Sequence, residues 1–73
     1  MTRYTEEVTR DGITYRGVLT EHHQYCEESV TADGETIHWA DFHAVQLGDA
    51  SRSGYVKSMT SSIAYKHSRR TEA

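Results

Sequence analysis

The sequence predicts a mainly β, α+β domain: an antiparallel sheet of four or five strands followed by one C-terminal helix. Three observations predict it. First, Val8-Thr9-Arg10-Asp11-Gly12-Ile13-Thr14 returns as Val30-Thr31-Ala32-Asp33-Gly34-Glu35-Thr36, so both copies read V-T-x-D-G-x-T. Asp-Gly is a favoured hairpin turn, because glycine takes positive φ without steric cost and aspartate tolerates it. Second, β-branched residues flank both turns, as strands prefer. Third, the period changes beyond Gly48, where Tyr55, Val56, Met59 and Ile63 recur at helical spacing.

The first strand spans residues 3–9, with Tyr4, Glu6 and Val8 on one side. After Asp11-Gly12, Ile13, Tyr15, Gly17 and Leu19 share a face and Thr14, Arg16, Val18 and Thr20 the other. Gly17 inside this strand reads as a bulge or sharp bend. Residues 21–24 are polar and aperiodic, a connection or a bent continuation. A third strand covers 25–31, with Cys26, Glu28 and Val30 on one face. The alternative there is a short helix capped by Thr20. The fourth strand is 35–39, with Ile37 and Trp39 on a common face. Ala40-Asp41-Phe42 reads as a turn, and 43–47 as a short fifth strand with Val45 and Leu47 inward. Asp49 or Ser51 is positioned to cap a helix over about 50–67. The domain is thus 1–67, with 68–73 a flexible tail.

Composition narrows the function classes. The chain has 73 residues, 36% of them hydrophobic, which allows one domain with a modest core and no deep, walled active-site cavity. The single cysteine, Cys26, precludes an intrachain disulfide and points to a reducing, cytoplasmic setting. The first residues lack the apolar core of a signal peptide, and no stretch reaches membrane-spanning length. The net charge of −3 hides an asymmetry. Residues 21–50 carry Glu21, Glu27, Glu28, Asp33, Glu35, Asp41 and Asp49 without lysine or arginine, whereas 51–73 carry Arg52, Lys57, Lys66, Arg69 and Arg70 against Glu72. Such a division marks an interaction surface more than a catalytic one, unless the two segments neutralise each other.

The run Asp11-Gly12-Ile13-Thr14-Tyr15-Arg16-Gly17-Val18-Leu19 resembles the opening of an Sm-like or SH3-like small β-barrel. Residues 35–45 resemble the last strands of such barrels, so the resemblance covers about 4–47. It implies a sheet curled into a barrel and, in the Sm case, RNA binding. The last loop departs from the Sm pattern in having no Arg-Gly or Lys-Gly pair. In size, charge and β content the chain is also similar to small phage-encoded inhibitors.

The residues themselves bear on four kinds of chemistry. His22, His23, Cys26, His38 and His43 supply zinc-type ligands, but paired C-x-x-C or H-x-x-x-H spacing is missing, so no metal or other cofactor is expected. No nucleophile elbow occurs, and adjacent Glu27 and Glu28 point to opposite faces of a strand, so no enzyme is expected. Protein binding is the leading expectation: a small regulatory or inhibitory module that engages a basic partner through Glu21, Tyr25, Glu27, Glu28, Asp41 and Asp49. Tyr25, Trp39 and Phe42 are candidate anchors, with Trp39 expected in the core and Tyr25 the freest. The alternative is nucleic-acid binding through Arg52, Lys57, Lys66, Arg69 and Arg70, against a null in which these cations complement the helix dipole. An exposed edge strand would also permit a homodimer.

Overall fold

A computed structural model describes residues 1–71. Strands β1 (Thr2–Arg10), β2 (Ile13–Glu21), β3 (Tyr25–Ala32) and β4 (Glu35–His43) precede a 3-10 turn, Ala44–Leu47, and a long helix, α1 (Arg52–Thr71). The strands form a four-stranded antiparallel meander in the order β1-β2-β3-β4.

Both Asp-Gly turns form as the sequence anticipates. Asp11 and Gly12 have φ of 53° and 79°, Asp33 and Gly34 of 47° and 90°, so both central residues of each two-residue loop are left-handed. That turn twists with the strands it joins. The Asp33 carboxylate also accepts from the Thr14 amide at 3.0 Å, extending the β2–β3 ladder by a side-chain rung. Residues 22–24 make a loop closed by the His22 amide donating to the Tyr25 carbonyl at 2.9 Å.

The sheet is not closed into a barrel. β1 and β4 are its two edges, and among the described residues no fifth strand joins them. Residues 44–47 instead form the 3-10 turn, in which the Ala44 amide donates to the Gln24 carbonyl at 3.0 Å and the Val45 amide to the His43 ring at 3.2 Å. Val45 points outward and Leu47 inward. The expected turn at 40–42 is absent, because β4 keeps pairing with β3 through Phe42↔Cys26 and His43↔Tyr25.

Gly17 is not bulged either. It pairs regularly with Glu6 and Val30, and its lack of a side chain serves the helix. A Cβ at this position would lie 1.7 Å from Thr60 Oγ1. Helix and sheet therefore meet closely at Gly17 and Thr60, and the core divides on either side. One cluster holds Leu19, Cys26, Leu47 and Val56. The other holds Tyr15, Val30 and Ala64, and Met59 touches both. Along α1 the fully buried seam is Val56, Thr60, Ala64 and Ser68, each one turn after the last, flanked by the half-buried Tyr55, Met59 and Ile63. Small residues occupy it because the backbone–backbone approach leaves no room for larger ones.

Ser51, not Asp49, caps α1: its hydroxyl accepts from the Gly54 amide at 3.2 Å. The helix continues through residues 68–71, where the sequence predicted a tail; the last two residues of that tail lie outside the described region. Ser68 explains the extension, since its hydroxyl accepts from Arg10 Nε at 3.0 Å and donates to the Tyr65 carbonyl at 3.1 Å.

Candidate interaction surface

One helix covers one face of the sheet, so the other face is open. Its composition follows from register. Four residues in line, Thr5, Val18, Ser29 and Trp39, cross β1 to β4. The adjacent row is Arg3, Thr20, Glu27 and Asp41, and the row beyond Trp39 is Glu7, Arg16, Thr31 and Thr36. Short hydroxyl and charged side chains make up these rows apart from Val18 and Trp39, and Trp39 stands above them 58% exposed.

Trp39 is where strand alternation misled the sequence reading. Ile37 and Trp39 should share a face, which would bury both. The β3–β4 register shifts between Val30 and Thr31: Val30 faces His38 while Thr31 faces Thr36. Ile37 is the extra residue of a β-bulge, so Ile37 and His38 both sit on the helix side and Trp39 is turned outward. Ile37 packs in the core with Tyr15 and Val30. No glycine or other turn residue in 35–39 announces the bulge.

Around Trp39 the face is acidic and aromatic. Glu27 and Asp41 are directly opposed across β3 and β4. Like charges so placed destabilise a sheet pair. Glu27 Oε1 is held by His22 Nε2 at 2.7 Å. The His22 ring stacks on Tyr25, with centroids 4.4 Å apart and planes 16° from parallel, and Tyr25 remains 46% exposed. Asp41 is exposed. Tyr25, Glu27 and Asp41 are thus gathered with Trp39 on one surface. Phe42 lies on the other face, packed in the core against Tyr55.

The remaining acidic candidates are elsewhere. Glu28 lies under the helix and is 7% exposed; Tyr55 Oη donates to its Oε1 and His38 Nε2 meets its Oε2 at 2.7 Å. It belongs to the core and cannot meet a partner from the surface. Glu21 pairs with Arg52 at 3.1 Å. Asp49 is exposed in the linker before α1. Burial and the bond to Glu28 together push the Tyr55 hydroxyl well above its ordinary range. Burial raises the Cys26 thiol, so at neutral pH it stays protonated and inert. Tyr15, buried near Asp11 and Asp33, is raised as well.

The basic candidates do not form one stripe. Arg52 donates to the Gly48 and Ala50 carbonyls at 3.0 and 2.8 Å while pairing with Glu21, whose hydrogen bond raises its pKa, and so pins the linker to β2. Arg69 folds back on Tyr65, donating to its hydroxyl at 2.7 Å, and Arg10 covers the same ring at 4.9 Å. Lys57 is roughly 180° around the helix from Lys66. Lys66 and Arg70 remain together, beside His67.

Among the described residues, no group of three His, Cys, Asp or Glu side chains is arranged to hold a metal ion. Cys26 and His38 lie on paired strands four register steps apart. No described helix is long and apolar enough to cross a membrane. No family model, curated protein or solved structure matches this chain.

Proposed function

We propose that this chain is a non-enzymatic protein-binding module that recognises its partner with the open sheet face centred on Trp39. The observation that carries the reading is a largely exposed tryptophan beside an opposed Glu27–Asp41 pair, on a face with no covering element. An exposed tryptophan is the typical anchor of a protein interface. Two opposed carboxylates, of which only Glu27 has a contact from His22, gain from a partner that brings cations. The partner is therefore a protein with a basic surface and an apolar recess for the indole. Where that basic surface itself binds nucleic acid, the two carboxylates compete with phosphate, and the outcome is regulation or inhibition. The free, buried thiol of Cys26 supports a reducing, cytoplasmic setting.

Nucleic-acid binding by α1 is the second reading. It draws support from Lys57, Lys66 and Arg70, since Arg52 and Arg69 are engaged within the molecule.

The test is affinity capture from nuclease-treated host lysate with the wild type, Trp39→Ala, Glu27→Lys with Asp41→Lys, and Lys66→Glu with Arg70→Glu. The proposal expects a protein retained by the wild type and the helix variant but lost by the two sheet-face variants. Retention by Trp39→Ala, or loss confined to the helix variant, overturns it.

A further inference from the structure

α1 packs chiefly on β1 and β2, so its C-terminal half and β4 stand apart with a groove between them. The groove encloses about 350 Å³ and is lined by Ile37, His38, Ile63, Lys66, His67 and Arg70. That volume is at the small end of ligand pockets. The bulge builds one wall, because it turns both Ile37 and His38 toward the helix. The helix builds the other, with Ile63 and His67 one turn apart, and Lys66 and Arg70 likewise.

The chemistry of the lining is specific in sign. Ile37 and Ile63 give an apolar floor. Lys66 and Arg70 are permanent cations with no acidic partner among the described residues. Each imidazole is anchored from beneath through one nitrogen: His38 Nε2 on Glu28 at 2.7 Å, and His67 Nδ1 on Tyr15 Oη at 2.8 Å. Tyr15 Oη can donate to His67 Nδ1, which leaves the His67 Nε2–H for a ligand, while the bond to Glu28 fixes the His38 ring in the groove wall. No acid is among the described lining residues, and the Glu28 carboxylate behind His38 is already shared between Tyr55 and His38.

We infer that this groove is a binding site for a small amphiphilic carboxylate, its chain on Ile37 and Ile63 and its head among Lys66, Arg70, His38 and His67. A bare anion would waste the apolar floor, and a neutral apolar molecule would leave two like charges facing each other. This site is on the helix-covered side of the sheet, separate from the Trp39 face, and it does not rest on the protein-binding proposal.

The probe is octanoate, titrated into labelled protein while the methyl signals of Ile37 and Ile63 and the ring signals of His38 and His67 are followed. Acetate supplies the charge without the chain, and 1-octanol the chain without the charge. Saturable shifts confined to these four residues, with octanoate alone, are expected. The Lys66→Glu, Arg70→Glu double variant, at exposed positions that leave the fold intact, should weaken octanoate about tenfold or more, the loss of a charge-assisted hydrogen bond. Lys57→Glu should not. Octanol shifting the same signals equally, acetate saturating them alone, non-saturable shifts with octanoate, or unchanged affinity in the double variant each overturn the assignment.

Discussion

Gly17 and Thr60 set the distance between helix and sheet. Gly17→Ala would place a methyl group 1.7 Å from Thr60 Oγ1, and overpacking of this kind costs about 1–3 kcal/mol. Urea unfolding should show that loss, and Thr60→Ala should restore part of it, because a Cβ-to-Cβ approach of 3.0 Å remains. At Glu28, Tyr55→Phe removes one of two donors from a buried carboxylate and should cost about 1–3 kcal/mol. The same tyrosine makes stability depend on alkaline pH. Tyr55 and Tyr15 hold their protons more tightly in the fold than the ordinary phenol value of 10.0. The unfolded chain therefore loses these protons first as pH rises. Their contribution is complete below about pH 10 and is lost progressively above it. Urea midpoints between neutral pH and mildly alkaline pH should be level, then fall, and the fall should be shallower in Tyr55→Phe.

At the scale of elements, the hairpin turns and helix cap were legible because they rest on local chemistry. Asp-Gly is one of the few pairs that take two successive left-handed conformations at little cost, and a serine three residues before an amide in the first turn is a cap. Ser51→Ala should accordingly cost about 1 kcal/mol in a thermal or urea melt. What stayed hidden was decided at a distance. The bulge that sends Trp39 outward answers the packing of Ile37 against Tyr15 and Val30, which no residue within 35–39 encodes. Thr60 and Ala64 are outside the apolar stripe read from the sequence and Ser68 is in the expected tail, since only the proximity of Gly17 and Arg10 makes small and hydroxylated residues the right filling. Glu28 read as surface acid because its two partners come from β4 and α1, 10 and 27 residues away. A fifth strand was expected from Val45 and Leu47, yet β4 runs on to His43 and a 3-10 turn suffices to bring Leu47 into the core.

At the scale of the molecule, the charge asymmetry of the sequence resolves into separate places. Part of it cancels internally, at Glu21 with Arg52. Of the rest, Glu27 and Asp41 join Trp39 on the sheet face, whereas Lys66 and Arg70 line the groove beside α1. Stability and recognition should be separable on the sheet face. Trp39 is mostly exposed, so Trp39→Ala should leave the urea midpoint within about 0.5 kcal/mol of wild type while abolishing partner capture. A large loss of stability in this variant would show the indole to be structural. Among the contacts that join the layers, the bond from Arg10 to Ser68 spans 58 residues. On the ribosome this ordering has a cost. The meander can pair strand by strand as it is made, but Tyr15, Leu19 and Val30 stay uncovered until α1 has been synthesised and reaches back to β1. During that interval the nascent chain is a two-faced sheet with both edges free, the form in which it is most prone to self-associate.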